Sequence, residues 1–395
     1  MQGMQPVAIQ NSFIAANRPA RLKRIALINP TKFLGNLLLS GQYVQHLSAW
    51  CQQEDCELLV VLDSRFKALF GPIFDASHVR LCYYPRQALK QGKIPWQGMR
   101  QWWQCLSEIR QFRADLAFTI EEDSVAHRLT HLSGASVRVS CSEARYHFGF
   151  DAILDIKRQG RSNETASIWH VTGDIFTSLG LPVPAQMAYP AMTRAMQPSA
   201  VEAGDANKLQ TALDSGYKVV VMHAGASKRY KQWPVENFMT LARLIVAKGY
   251  RLLLIGAGKI DAEINAKISE AVGTIECQNL CDQLSLPELA YTLSKAYFVI
   301  GNDSGPSHLG SALGVPGVVL FGPTEIGLWR PLGRQTTVLH HKELCQNDCT
   351  RHHCCIGYAC LKEVSPEEVM RQLQALAPSS HTDKACLIEK TSSQA

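Results

Sequence analysis

Two hydrophobic periods alternate along the chain. "RIALINP" (24–30), "CELLVVLD" (56–63) and "ADLAFTI" (114–120) are short, nearly unbroken apolar runs, the pattern of strands covered on both faces. Between them, "GNLLLSGQYVQHLSAWCQ" (35–52) and "MRQWWQCLSEIRQF" (99–112) carry apolar residues at helical spacing. A softer stretch at 157–170 leads to a predicted helix, "VTGDIFTSLG" (171–180). The pattern restarts with the strand "YKVVVMHAGAS" (217–227), the helix "VENFMTLARLIVAKG" (235–249) and the strand "YRLLLIGAG" (250–258). "KAYFVIGNDSG" (295–305), a helix from about Ser307, and "VPGVVLFGPT" (315–324) follow. A last helix begins with Ser365 as its cap, Pro366 at its first position and acids in its first turn.

Strand and helix in alternation predict an α/β chain with largely parallel sheets. Residues 182–207 hold four prolines and little periodicity, which marks a connection between two domains. The simplest architecture is two doubly wound domains facing one another across a cleft, with ligands at the carboxyl ends of the strands. The first domain is placed at 24–185 and the second at 210–364. A helix at 365–377 is expected to return to the first domain, and 1–23 and 378–395 to be flexible tails. "LIGAGKID" (254–261) is not a dinucleotide fingerprint. Asp261 stands where its third glycine belongs, and the helix-forming sequence begins too late.

Composition narrows the class. The chain is 46% hydrophobic and 19% charged, with no apolar run near the roughly 18 residues of a membrane span and no leader-like start. Cys51, Cys56, Cys82, Cys105, Cys141, Cys277 and Cys281 are scattered through apolar or helical-looking sequence, as reduced thiols are, so a cytoplasmic protein is expected. A net charge of +6 is modest for this length, and no basic stripe interleaved with aromatics supports nucleic-acid binding.

The chemistry concentrates in "GNDSGPSHLGSALGVPGVVLFGPT" (301–324), where Asp303, Ser304, Gly305, Ser307 and His308 link a strand end to a helix start. Backbone amides there suit an anion, although Pro306 has no N–H to give, and Gly305 allows close approach. "HAGASKRYKQWPVENF" (223–238) adds Ser227 and Lys231 beside the structural pair Trp233 and Pro234. "RIALINPTKFLGNLLLS" supplies a glycine-led first helix. Together these segments, over roughly residues 24–376, resemble glycosyltransferase family nine, the ADP-heptose:lipopolysaccharide heptosyltransferases.

The resemblance implies a GT-B fold, two Rossmann-like domains with the nucleotide-sugar held by the second. It implies inverting transfer of heptose from ADP-heptose to the inner core of lipopolysaccharide, with no cofactor and no metal held by a D-x-D motif. The donor-binding residues would be Ser227, Lys231, Asp303, Ser304, Gly305, Ser307 and His308. Asp303 would orient loop amides or the donor sugar, and His308 either touches ligand or serves local hydrogen bonding. The amphiphilic lipid-A/core acceptor implies transient contact with the inner face of the inner membrane, through basic residues such as Arg21, Lys23, Arg24 or Arg100.

Gly35 and Asn36 occupy the acceptor loop, where the family usually has glycine and an aspartate base. An amide takes no proton at neutral pH. Three readings follow: a carboxylate of "TIEEDS" (Glu121, Glu122 or Asp123) serves instead; the acceptor is activated in another way; or the chain binds sugar-nucleotides without catalysis. Use of another donor sugar is a further alternative. Cys345, Cys349, Cys354, Cys355 and Cys360, with His352 and His353, are enough ligands for a structural zinc. Their spacings differ from paired C-x2-C knuckles, so the expectation is a packed, reduced loop without metal.

Overall fold

A computed structural model describes residues 21–90, 96–121, 123–141, 150–154, 167–193, 216–273, 275–345, 354 and 356–377. The first sheet holds β1 (Arg24–Ile28), β2 (Glu57–Asp63), β3 (Val79–Tyr84), β4 (Leu116–Phe118), β5 (Val137–Cys141) and β6 (Ala152–Leu154). Its helices are α1 (Leu34–Gln53), α2 (Lys67–Phe74), α3 (Arg86–Lys90), α4 (Trp96–Gln111), α5 (Ser124–Leu132) and α6 (Ile168–Ser178). The second sheet holds β7 (Val219–His223), β8 (Arg251–Leu254), β9 (Cys277–Asn279), β10 (Phe298–Asn302), β11 (Gly317–Leu320) and β12 (Thr336–Leu339). With it go α7 (Val235–Ala247), α8 (Lys259–Val272), α9 (Leu286–Lys295), α10 (Gly305–Ala312), α11 (Ile326–Trp329), α12 (Ala359–Lys362) and α13 (Pro366–Ala375).

Every strand pair is parallel. The first sheet runs β3-β2-β1-β4-β5-β6 and the second β12-β11-β10-β7-β8-β9. Renumbered within its own half, the second order is the first read backwards. Both sheets are therefore doubly wound, with their order reversing between β1 and β4 and between β7 and β10. Ligands bind outside the carboxyl ends of strands at such points, which makes Asn29–Asn36, Thr119–Glu121, His223–Lys231 and Asn302–His308 the segments to inspect.

Strand alternation divides the core. Ile25 and Leu27 face α1, while Ala26 and Ile28 face the opposite layer with Cys105 and Ile109 of α4. The α1 side continues without a break into Val219, Val221, Val299 and Leu309 of the second domain. The junction is α1 against α10, where only glycine fits. A Cβ on Gly35 would lie 2.9 Å from Cδ2 of His308, and one on Gly305 would lie 3.0 Å from Cβ of Leu34. The connecting segment crosses the same junction: Pro190 sits against Gly41, and the Tyr189 hydroxyl accepts from Leu332 N–H at 2.9 Å.

Three expectations are revised. α13 packs on the second domain, not the first, because Val369, Met370 and Leu373 complete the apolar layer formed by Phe238, Leu241 and Val318. Its start is as predicted, with Ser365 Oγ accepting from Glu368 N–H at 3.1 Å. α8 begins at Lys259, directly after Gly258 (φ +86°), so the helix does not start late. Leu22 is only 3% exposed, which extends the ordered chain back before Arg24. The remainder of the two predicted tails and most of the softer stretch lie outside the described residues.

Candidate functional site

At the second sheet's reversal point, β7 and β10 deliver a charged and polar cluster. Asn302, fully buried, joins the loops: its Oδ1 accepts from Trp233 N–H at 3.1 Å, and its Nδ2 donates to Ala224 O at 2.8 Å. Trp233 Nε1 donates to Val364 O, confirming a structural role for that ring. Lys231 donates to Asp303 Oδ2 at 2.6 Å, and His308 Nε2 lies 3.7 Å from Oδ1. Burial pushes the Asp303 carboxyl up, but His308 and the Lys231 charge outweigh it and hold the pKa below its ordinary value. Asp303 is thus an ionised anchor that aims the ammonium, while the Lys231 side chain keeps 22% of its surface open.

Ser304 stands at the N-cap of α10, but its side chain does not cap the helix. Its hydroxyl lies 2.9 Å from His223 Nδ1, and His223 Nε2 lies 3.3 Å from Asp261 Oδ2. Burial pushes the Asp261 carboxyl up; hydrogen bonds from His223 and from Ala257 N–H, with the imidazole's charge, more than offset this and keep it ionised. Asp261 reaches that place because Gly225 has no side chain: a Cβ there would overlap its carboxylate. Ser307 Oγ donates to Asn302 O at 2.7 Å, bracing the turn. The start of α10 therefore brings together the helix's first backbone N–H groups, the Ser304 hydroxyl and, through Asp303, the Lys231 ammonium, groups of the kind that suit an anion. Ser227 is exposed on the adjoining loop.

The first sheet's reversal point holds the facing cluster. Asn36, in the first turn of α1, donates from Nδ2 to Glu121 Oε1 at 3.2 Å and Oε2 at 3.4 Å. Both residues are buried. The Glu121 backbone is held by Thr119, whose hydroxyl accepts from Glu121 N–H at 3.1 Å. Asp123 is committed elsewhere: it caps α5 through Val125 N–H and pairs with Arg86 at 2.9 Å. Arg86 also pairs with Asp63 and donates to Pro30 O at 2.6 Å, fastening the ends of β1, β2 and β4 together. Glu122 lies outside the described residues. Of the two described carboxylates named from sequence, Glu121 is the one beside Asn36.

Sequence reasoning missed His223 and Asp261. The signal was there: a histidine closing an apolar strand, and an acid in place of a fingerprint glycine. It also missed His340, which the fold places with Cys345 and Cys360. Cys354 Sγ accepts from Tyr358 N–H at 3.1 Å, and Cys349, Cys355, His352 and His353 lie outside the described residues.

Two doubly wound parallel sheets in succession are the architecture of the GT-B fold, which solved heptosyltransferase structures share. The family model for glycosyltransferase family 9 (heptosyltransferase) matches residues 108–358, and the chain belongs to that family. Lipooligosaccharide heptosyltransferase 2 of Campylobacter jejuni is 30% identical over 173 residues, 43% of this chain and 54% of that protein. The chain thus spans about half the length of the curated relatives it matches. Two solved structures share the fold. Escherichia coli ADP-heptose LPS heptosyltransferase II has a TM-score of 0.66 and 18% identity, covering 90% of this chain and 98% of that one. A family 9 glycosyltransferase from Veillonella parvula has a TM-score of 0.69 and 18% identity, covering 90% and 97%.

Proposed function

We propose that the protein transfers heptose from ADP-heptose to an inner-core sugar of a lipopolysaccharide acceptor, with inversion, and that Glu121 is the base. The reading rests on Glu121 beside Asn36 on one domain, opposite the Lys231, Ser304 and α10 cluster on the other. The names of the relatives, lipooligosaccharide and ADP-heptose heptosyltransferases, support the donor and acceptor classes.

The acceptor hydroxyl gives its proton to the Glu121 carboxylate, and its oxygen attacks the anomeric carbon from the face opposite the diphosphate. The anomeric C–O bond to the β-phosphate breaks, and ADP leaves with the electron pair. Lys231, the Ser304 hydroxyl and the α10 N-terminus take up the charge that develops on the leaving oxygens. Asn36 keeps the geometry of the family's acceptor loop and orients the carboxylate in place of supplying it.

No described helix is long and apolar enough to cross a membrane. The lipid-anchored acceptor is reached from a surface instead. Trp96, Met99 and Trp103 are exposed on α4 at helical spacing, with exposed Arg100 and Arg110 on the same stripe. Aromatic side chains suit the lipid interface, and arginines suit anionic head groups.

The test is mass spectrometry of the core oligosaccharide from a strain lacking this protein, with purified protein, ADP-heptose and that truncated lipopolysaccharide as the assay. Loss of one heptose in the strain, restored in vitro, is expected. An unchanged core, with donor bound but never transferred, would establish the binding-only alternative.

A further inference from the structure

Beside the donor and acceptor clusters, three further ligand-bearing side chains come together. His340 directly follows β12, Cys345 follows the short 3-10 turn Lys342–Leu344, and Cys360 lies in α12. One ring nitrogen and the two sulfur atoms lie within 4.8 Å of one another. Ligands bonded to a tetrahedral ion at about 2.0–2.3 Å are separated by about 3.3–3.8 Å. Only small side-chain rotations are needed for all three to share one ion.

A hydrogen bond fixes which nitrogen of the His340 imidazole can serve as a ligand. His340 Nδ1 donates to the backbone carbonyl of Phe321 at 3.1 Å, which keeps the proton on Nδ1 and the lone pair on Nε2. A backbone carbonyl holding the far nitrogen is the usual support of a histidine ligand. Cys360 is fully buried, while Cys345 and His340 are half-buried, so the point is walled on the core side and reachable from solvent.

We propose that His340, Cys345 and Cys360 bind one thiophilic divalent ion, Zn(II) or Fe(II), with a fourth position open to water or another thiolate. Two sulfur ligands and one nitrogen select soft or borderline ions over magnesium or calcium. The role is structural, because none of the three is among the groups read as touching donor or acceptor. The ion would clamp the chain on either side of Tyr358, whose ring packs on Tyr230 with centroids 6.3 Å apart. Tyr230 precedes Lys231, so the clamp braces the loop that presents the ammonium to the donor.

The experiment is elemental analysis of the full chain, purified under reducing conditions from medium supplied with zinc and iron. About one equivalent of zinc or iron is expected, because binding to a preformed site is coupled to folding. Cys345→Ser, at a half-exposed position that tolerates the change, and His340→Ala should each remove most of the metal. Cys281→Ser, a half-exposed thiol elsewhere, should leave it in place. Cobalt(II) added to stripped protein should give thiolate-to-metal charge-transfer absorption in the wild type, lost in Cys345→Ser. A wild-type protein that holds no metal even after reconstitution, or a Cys345→Ser variant that keeps the full equivalent, would overturn the site. So would a Cys345–Cys360 disulfide persisting in the reduced protein.

Discussion

Asn36 and Glu121, 85 positions apart in sequence, are joined by an amide-to-carboxylate hydrogen bond of 3.2 Å at the reversal point of the first sheet. An amide has no basic lone pair at neutral pH, so Asn36 alone removes no proton. Its Nδ2 reaches both oxygens of a carboxylate that does have one. On the proposed reading, shaping the acceptor loop and taking the proton fall to two residues, Asn36 and Glu121.

The phosphate site is tested by binding ADP. Lys231→Ala and Ser304→Ala should each weaken ADP by about 1–3 kcal/mol, the range for a hydrogen bond to a charged group. Lys231→Ala also strands the buried Asp303 carboxylate, so its melting temperature should fall. Ser304→Ala strands no buried charge, so its loss of affinity reads the hydroxyl together with its bond to His223. Calorimetry showing full affinity in both variants would move the phosphates elsewhere.

The chain Asp261–His223–Ser304 should matter to donor binding. Asp261 holds the His223 ring at 3.3 Å, and that ring lies 2.9 Å from the Ser304 hydroxyl. Asp261→Asn should weaken ADP by less than Ser304→Ala does, because it acts through the orientation of the ring and removes no ligand contact. Calorimetry showing unchanged ADP affinity in Asp261→Asn would refute the relay.

Stability should carry the signature of Asp303 in acid. Its folded pKa lies below the ordinary 3.8. Its contribution is therefore complete above that value and disappears as pH falls through the lower folded value. Wild type should exceed Asp303→Asn in denaturant midpoint at neutral pH, with the gap closing below pH 3.8. A gap that is constant with pH would contradict the ionised anchor.

Gly35 tests the junction of the two domains. Gly35→Ala puts a methyl 2.9 Å from the buried His308 ring, so α1 and α10 must separate. Transfer and melting temperature should fall while ADP affinity holds, because the donor groups lie on the second domain. His308→Ala should partly rescue the pair, a coupling read by a double-mutant cycle. Strict additivity would show that the contact is not felt.

The strands that read clearly from sequence are the central ones. β1, β7 and β10 are buried on both faces and leave unbroken apolar runs. β3, β6 and β12 lie toward the sheet edges with partly exposed residues, and their sequences, such as "VRLCYY", give no distinct period. The loop from Asp303 to His308 was legible because its residues are local. The pairings Asn36–Glu121, Ser304–His223 and Asp261–His223 span 38 to 85 positions, and parallel crossovers bring them together, not local pattern. The destination of α13 was illegible for the same reason: its apolar stripe specifies burial but not against which domain.

The central claim is that Glu121 takes the acceptor's proton, and Glu121→Gln tests it most directly. The carboxamide oxygen of that variant would still accept from Asn36 Nδ2, so the fold and ADP affinity should be unchanged. The turnover number for heptosyl transfer should fall by about 10²–10⁴-fold, the usual contribution of a general base. Adding Asn36→Asp in that background should restore much of it. A Glu121→Gln protein that transfers at the wild-type rate would contradict the account.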